Sequence, residues 1–214
     1  MVIYFDTEFT DLSKSGQLIS IGLIAEDGRT FYGEVTDFDR NRCSDFVKEN
    51  IIPKLWYKSK TINGTLLDPY QMKKLMPEYH FATHAEIGEK LKLWLDDFDK
   101  VQLVSDICYF DMIHFVDLFG TSEDLPKNVS LSCHDINADI AEKFGVSEWK
   151  AFNMSREEII TTLGIGNDFI NQCVHKSRGV DKVQSMKHNS LYDALIIARI
   201  AHHLGVNVKL NRVP

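Results

Sequence analysis

The stretch Ile3-Tyr4-Phe5-Asp6-Thr7-Glu8-Phe9 lies near the start of the chain, and the fold prediction begins from it. The stretch is short and rich in aromatic and β-branched residues, which favours a β-strand. Side chains of a strand alternate between two faces, so Asp6 and Glu8 share one face. Neighbouring carboxylates repel unless they are solvated or share a cation, and Mg²⁺ takes carboxylate oxygens as ligands. Taken alone, the stretch is compatible with a solvated strand edge and with a metal site.

The length and composition of the chain indicate an ordinary globular protein. It has 214 residues, of which 44% are hydrophobic, and this fits one domain over residues 1–214 with enough apolar side chains for a core. No apolar run reaches the roughly 18 residues that suggest a membrane span, and the N-terminus lacks the residue order of a signal peptide. We therefore expect a cytoplasmic protein that makes no contact with a membrane.

The formal net charge is −7. This charge argues against a protein that coats long tracts of nucleic acid, because such a footprint needs dense lysine and arginine. This net charge is still compatible with a small site that binds the end of a nucleic acid strand. Carboxylates that hold metal contribute negative charge, and the bound cations then supply the positive charge that a phosphate needs.

The cysteines are scattered and include no Cys-x-x-Cys pair, which favours reduced, mostly buried thiols over disulfides or a zinc site. Cys133-His134-Asp135 is a weak zinc candidate without a second pair of ligands. The four cysteines are Cys43, Cys108, Cys133 and Cys173.

Sequence patterns predict a mixed α/β arrangement. Three strands are expected over residues 2–9, 18–26 and 29–36, with a tight turn at Asp27-Gly28. A buried strand is expected over residues 101–105, and the segment after it has helical periodicity up to Gly120. This order predicts a mixed β-sheet flanked by helices. Further helices are expected from Ser44 to Pro53, after the capping box Thr83-x-x-Glu86, over 133–144, 155–163 and 166–175, and from His188 to Gly205.

Residues 54–80 are predicted to be irregular and mix lysines with aromatic side chains. Such a mixture can grip single-stranded nucleic acid, or it can consist of solvated lysines beside aromatic anchors.

Three further polar residues stand in apolar surroundings. Asp111 follows the 101–105 strand, and Asp193 stands five residues after His188 in an otherwise apolar helix. Singly, Asp111 could be a solvated acid in a first helical turn, and Asp193 could complete a capping box with Ser190. Together they favour a metal, because a carboxylate at the edge of apolar surroundings needs a partner.

The segments YFDTEF, LVSDICYFD and KHNSLYD resemble, in this order, the three motifs of the DEDD superfamily of 3′-to-5′ exonucleases. The five-residue spacing from His188 to Asp193 is typical of the DEDDh branch. The resemblance implies a ribonuclease H-like fold and is nearest to small stand-alone exoribonucleases of bacteria and phages. Residues 128–187 match no motif and are expected to be a helical elaboration.

The resemblance also implies roles for individual residues. Asp6, Glu8, Asp111 and Asp193 would hold two divalent cations, Mg²⁺ or Mn²⁺, and His188 would take the proton from the attacking water. Thr7 and Phe9 would grip the terminal nucleotide of the substrate. Lys187, together with Lys176, Arg178 and Lys182, precedes the last motif, and these basic residues could hold upstream phosphates or belong to a solvated loop.

The chain departs from the family pattern at two places. Phe9-Thr10-Asp11-Leu12 replaces the usual Thr-Gly after the first motif. Asp106-Ile107 replaces a His-Asn pair that many relatives carry, which makes Asp106 a rival of Asp111 as a metal ligand.

The resulting hypothesis is a metal-dependent 3′-to-5′ exoribonuclease that binds RNA at its 3′ end and releases nucleoside 5′-monophosphates, with a homodimer as a candidate assembly. The alternatives are a DNA exonuclease of the same family and a non-catalytic nucleic-acid-binding module. A phosphomonoesterase with Asp6 as nucleophile is disfavoured, because such enzymes carry aspartate where Glu8 stands.

Overall fold

The computed structural model describes residues 1–13, 15–56, 61–62, 65–66, 79–165 and 187–206. In chain order, the strands within these ranges are β1 (Val2–Phe9), β2 (Leu18–Ala25), β3 (Thr30–Val35), β4 (Thr61–Ile62), β5 (Thr65–Leu66), β6 (Tyr79–Ala82), β7 (Val101–Ser105) and β8 (Val129–Asp135). The α-helices are α1 (His84–Leu95), α2 (Cys108–Asp117), α3 (Ile136–Phe144), α4 (Glu148–Asn153), α5 (Arg156–Thr162) and α6 (Ser190–Leu204). None of these helices has both the length and the apolar character needed to cross a membrane.

Six of the strands form one mixed sheet in the order β6-β3-β2-β1-β7-β8. The first three strands pair antiparallel as a meander, whereas β7 lies parallel to β1 and β8 lies parallel to β7. On the other side, β6 lies parallel to β3. The short strands β4 and β5 form a separate antiparallel pair. The predicted mixed sheet flanked by helices is confirmed.

Two strands at the edges of this sheet were not predicted. The expected helix over 133–144 begins only at Ile136, because residues 129–135 form β8, and the expected irregular stretch ends in β6. Edge strands are held by backbone pairing on one side and need no regular apolar pattern. In β8, for example, Val129 is buried but Leu131 is exposed.

Two other predicted helices differ in their details. The segment after Ser44 contains a π-helical stretch, Val47–Ile51, and a 3₁₀ turn, Ile52–Lys54, so that it continues past Pro53. α2 ends at Asp117, and Gly120 follows it with a φ of 98°. The expected helix over 166–175 and most of the basic and aromatic stretch lie outside the described residues.

The two faces of β1 contact different helices. Ile3 and Phe5 pack in the core with Phe115 of α2 and with apolar side chains of α1. Val2 and Tyr4, on the opposite face, pack in a second apolar cluster with residues of α6, namely Ile196, Ile197 and Ile200. Because Asp6 and Glu8 continue the second face, the alternation of β1 directs both acids toward the beginning of α6.

A glycine and two serines bring α6 onto the sheet. In the β1–β2 pair, Gly22 lies opposite Asp6 and Ser20 lies opposite Glu8. A Cβ atom on Gly22 would overlap the backbone of α6 at its first two residues. The Ser190 hydroxyl, at the start of α6, donates a hydrogen bond to Ser20 Oγ at 3.0 Å. The start of α6 is therefore held directly beside the two acids.

Candidate active site

Asp6 has a buried carboxylate oxygen without a hydrogen-bond partner. Asp6 Oδ2 is inaccessible to water and accepts no hydrogen bond from the residues that the structure describes. Glu8, two residues along the same face, is 7% exposed. A buried polar atom without a partner is costly, whereas a cation at this position would satisfy it.

Asp111 is oriented by protein donors. Its Oδ1 accepts hydrogen bonds from the backbone nitrogen of Thr7 at 3.0 Å and from Thr7 Oγ1 at 2.6 Å. Its Oδ2 accepts a hydrogen bond from the Ser105 hydroxyl. Because Asp111 is only 3% exposed, it is not a solvated acid in a helical turn. These contacts fix the carboxylate of α2 against the strand that carries Asp6 and Glu8.

His188 and Asp193 are joined through the turn that precedes α6. The His188 backbone nitrogen donates to Asp193 Oδ2 at 2.8 Å, and His188 has a φ of 68°, which is unusual for a residue with a side chain. The cap of α6 is Asn189, whose side chain accepts from the backbone nitrogen of Tyr192 at 3.2 Å, so the capping box with Ser190 is not formed. Strain of this kind is typical of functional turns that the surrounding structure holds in place.

The predicted catalytic residues line one cavity of about 1130 Å³. They are Asp6, Glu8, Asp111, His188 and Asp193. Two groups within it have potential ligand atoms that all lie within 4.8 Å of one another: Glu8, His188 and Asp193 form one, and Asp6, Asp106 and Asp111 form the other. Oxygen-rich groups of this kind fit hard divalent cations. The cavity can therefore hold divalent metal.

Burial raises the pKa of all four acids that the family resemblance implies as ligands. Burial first, and then the nearby carboxylates, raise the pKa values of Asp6 and Glu8 well above the usual range. Burial raises the pKa of Asp111 to about 7 against the lowering effect of its hydrogen bonds from Ser105 and Thr7. The pKa of Asp193 rises to about 8, again mainly through burial. The metal-free site therefore favours protonated carboxyls.

The pKa of His188 is shifted in the opposite direction, below its ordinary value. Burial, and secondarily the positive charge of Lys187, lower the pKa of its imidazole. The ring also meets the exposed Phe46 edge-on, with 5.1 Å between ring centroids. A lowered pKa keeps the imidazole neutral near pH 7, which is the form that accepts a proton.

Asp106, the rival ligand, forms an ion pair with a residue that sequence reasoning missed. Arg156 Nε donates to Asp106 Oδ2 at 2.7 Å, and Arg156 Nη2 donates to Asn137 Oδ1 at 2.9 Å. The Asn137 amide in turn donates to the backbone oxygen of Asp106 at 2.6 Å. No spacing in the sequence links these residues, since Asp106 lies between β7 and α2, Asn137 lies in α3 and Arg156 lies in α5. Asp106 is therefore charge-compensated by protein, unlike Asp6.

The three predicted substrate residues also line the cavity. Phe9 stacks on His114, with 4.5 Å between ring centroids. Both hydrogen-bond donors of Thr7 are directed to Asp111, and Lys187 Nζ lies 3.4 Å from Glu157 Oε2. The other basic candidates, Lys176, Arg178 and Lys182, lie outside the described residues.

The weak zinc candidate does not form a ligand cluster. His134 Nε2 lies 2.6 Å from Asp139 Oδ2, while Asp135 caps α3 by accepting from the backbone nitrogen of Asn137. Cys133 instead contacts the sulfur of Cys108. Within the described ranges, the two groups that could hold metal are those around the cavity.

The fold and site define a nuclease of the type that the motifs suggest, and comparisons with known proteins agree. No protein-family model matches the chain. The 3′-5′ exoribonuclease Rv2179c of Mycobacterium tuberculosis (strain ATCC 25618 / H37Rv) is 44% identical over 129 residues, which make up 60% of this chain and 67% of that protein. The 3′-5′ exoribonuclease MT2234.1 of strain CDC 1551 / Oshkosh has the same identity and coverage.

Among solved structures, the nuclease domain of 3′hExo, a DEDDh family member bound to rAMP, has a similar fold. The TM-score is 0.56 and the identity 16%, with 100% of this chain and 96% of that chain covered. The chain belongs to the family of the mycobacterial 3′-5′ exoribonucleases. It is thus a hydrolase that acts on nucleic acid, and the predicted ribonuclease H-like fold is confirmed.

The raised carboxyl pKa values predict how the stability of the metal-free protein depends on pH. In the folded protein the pKa values of Asp111 and Asp193 are about 7 and about 8, against an ordinary value of 3.8. Between the ordinary value and the raised values, the folded state therefore binds more protons than the unfolded state. Stability in EDTA should therefore fall as pH rises from about 4 to about 8. Thermal unfolding measured across this pH range tests whether stability falls or rises with pH.

The matched control is Asp193→Asn, which keeps an oxygen for the His188 backbone but cannot ionise, and which should flatten the pH dependence. Saturating Mg²⁺ should raise the midpoint of unfolding most at high pH, because cations compete with protons for the same oxygens. Stability that increases with pH in EDTA over this range would contradict the prediction.

Proposed function

We propose that the protein is a 3′-to-5′ exoribonuclease that uses two divalent cations and releases nucleoside 5′-monophosphates. The observation that carries the proposal is the convergence on one cavity of two buried acids, two partly buried acids and one imidazole, with an Asp6 oxygen that lacks a hydrogen-bond partner among the described residues. The choice of RNA is supported by the names of the mycobacterial relatives. The choice of two cations is supported by the two groups of clustered ligand atoms.

The donor set fits Mg²⁺ or Mn²⁺, because every predicted ligand is a carboxylate. Asp6, Glu8, Asp111 and Asp193 would hold the cations, and Asp6 and Glu8, which share one face of β1, belong to different groups. When bound, such ions supply positive charge to the phosphate under attack and to the departing 3′ oxygen, and they favour ionisation of the attacking water.

His188 is the proposed general base. Its backbone is held by Asp193, so its imidazole is presented to the cavity from a fixed turn. Because its pKa is lowered, the neutral ring is available near pH 7 to take the proton from water as the water attacks phosphorus. The imidazolium holds this proton while the bond between phosphorus and the 3′ oxygen breaks. The 3′ oxygen stays on the shortened chain and takes a proton from solvent, the terminal nucleotide leaves as a 5′-monophosphate, and the imidazolium then returns its proton to solvent.

Phe9, Thr7 and Lys187 are the proposed substrate residues. The Phe9 ring is partly exposed at the cavity and already stacks on one aromatic ring, which suits it to contact a terminal base whatever the sequence. Thr7 contributes mainly by orienting Asp111. Lys187 supplies a positive charge beside His188, where a phosphate of the substrate can be received.

The function is tested with matched RNA and DNA oligonucleotides that carry a label at the 5′ end. We expect stepwise shortening of the RNA from its 3′ end, slower attack on DNA, and nucleoside 5′-monophosphates as products. EDTA should stop the reaction, and Mg²⁺ or Mn²⁺ should restore it. Faster cleavage of DNA than of RNA would show that the protein is a DNA exonuclease. Nucleoside 3′-monophosphates as products would contradict the proposed cleavage of the bond between phosphorus and the 3′ oxygen.

Removal of the base should separate catalysis from metal binding. His188→Ala should lower the turnover number by about 10²- to 10⁴-fold, because the attacking water loses its proton acceptor. The affinity for Mn²⁺, measured by titration calorimetry, should change little, since no carboxylate is removed. His203→Ala, at an exposed position of α6, the helix that follows His188, is the matched control and should retain activity. Turnover of His188→Ala at the control level would reject His188 as the base.

Substitutions at the two rival ligands should have unequal effects. Asp111→Asn should weaken Mn²⁺ binding by at least about tenfold and lower turnover with it, because a ligand charge is lost from between Thr7 and Ser105. Asp106→Asn should have a smaller effect on both quantities, since the charge of Asp106 is already balanced by Arg156. Calorimetry and single-turnover assays on both variants give the ranking, and the opposite order would assign the ligand role to Asp106.

A further inference from the structure

Two cysteines that the nuclease reaction does not use lie in direct contact. Cys108 is the first residue of α2, and Cys133 lies on the edge strand β8. Their sulfur atoms are 2.8 Å apart. This separation is only about 0.8 Å longer than a disulfide bond.

The fold explains why residues 25 positions apart meet here. Cys133 pairs with Leu103 across the parallel strands β7 and β8, and α2 begins just after β7 ends. The first turn of α2 therefore lies beside the same part of β8. Each sulfur also lies 3.8 Å from a backbone oxygen, Cys108 from that of Ser105 and Cys133 from that of His134.

The exposure of the two cysteines differs from that of Cys43. Cys108 and Cys133 are free and partly exposed, whereas Cys43, the other cysteine that the structure describes, is free but buried in the core. Cys108 and Cys133 thus differ from Cys43 in two respects, because their sulfur atoms contact each other and because they are partly exposed. The sequence alone predicts isolated reduced thiols and gives no sign of this pairing.

We propose that Cys108 and Cys133 are a site of reversible oxidation that closes to an intrachain disulfide when the protein meets hydrogen peroxide. One thiol is oxidised by peroxide to a sulfenic acid, with release of one water. The second sulfur then attacks the first, the S–OH bond breaks, and a second water leaves with the proton of the attacking thiol. In total, two thiols and one hydrogen peroxide give one disulfide and two waters.

A disulfide at this position would lie close to the active site. Cys108 lies one helical turn before Asp111, and Cys133 lies just before the residues that cap α3. A bond between them would tie the start of α2 to the edge of the sheet. Because the sulfurs are already close, small side-chain rotations can close the bond, so Asp111 keeps its contacts with Thr7 and Ser105. Oxidation should therefore brace the site and leave its activity in place, and the bond protects both sulfurs from irreversible oxidation.

The test uses the whole native chain treated with hydrogen peroxide, followed by denaturation, alkylation of the remaining thiols and peptide mapping by mass spectrometry. We expect a linked peptide pair containing Cys108 and Cys133, two alkylated thiols out of the four cysteines, and full reversal by a dithiol reductant. The oxidised protein should unfold at a higher temperature. Sulfinic or sulfonic acid at Cys108 or Cys133 without a link between them would overturn the proposal.

Variants and a denatured control complete the experiment. Cys43→Ser should still form the bond, whereas in Cys133→Ser peroxide should carry Cys108 to irreversible acids. The same treatment of the wild-type chain in concentrated urea should lose the preference for this pair, which keeps the test decisive even where Cys133→Ser folds poorly. Equal linking of all cysteine pairs in the native protein would show that the contact has no effect.

Discussion

The burial of several negative charges at one place is the constraint on which the rest of the structure depends. Each carboxylate loses hydration, and each raises the pKa of its neighbours by repulsion. Hydrogen-bond donors of the protein offset this loss of hydration and this repulsion only in part. Asp111 receives hydrogen bonds from two side chains, and Asp193 receives one from a backbone nitrogen. Asp6 Oδ2 receives none among the described residues. A cation in the cavity satisfies the oxygens that the protein leaves unpaired, and this couples metal binding to stability.

The scaffold prevents the charges from relaxing apart. β1 is paired on both sides within the sheet, so Asp6 and Glu8 have fixed directions. On the same face, the close approach of α6 at Gly22 holds Asp193 and the turn at His188 against that strand. Asn189 secures this turn from the other side, because its fully buried amide donates to the Tyr32 hydroxyl at 2.8 Å. Ligands held on rigid elements are ready for a cation without reorganisation.

Sequence reasoning succeeded where periodicity or a motif carries the information. β1, β2 and β7 are central strands with buried apolar runs, and their positions were predicted closely. Asp6 and Glu8 were paired by strand alternation alone, whereas Asp111, His188 and Asp193 were joined to them through the family resemblance. The capping box at Thr83 was also predicted correctly.

The failures lie where tertiary contacts decide the structure. The edge strands β6 and β8 have weak apolar patterns, because each is paired on one side only in the main sheet. Arg156 and Asn137 reach Asp106 from 50 and 31 residues away, and no local spacing records such contacts. The contact between Cys108 and Cys133 likewise exists only because α2 turns back beside β8.

Asp106 illustrates how one departure from the family pattern is accommodated. Asp106, in the pair that stands where many relatives carry His-Asn, adds a negative charge to a site that already holds several, and its charge raises the pKa values of Asp6, Glu8, Asp111 and Asp193. The Arg156 guanidinium cancels this charge at 2.7 Å, and Asn137 fixes the guanidinium in turn. As a unit, the ion pair is neutral, and loss of either partner alone would leave a largely buried charge without compensation. The ion pair with Arg156 therefore limits the negative charge that Asp106 adds to the site.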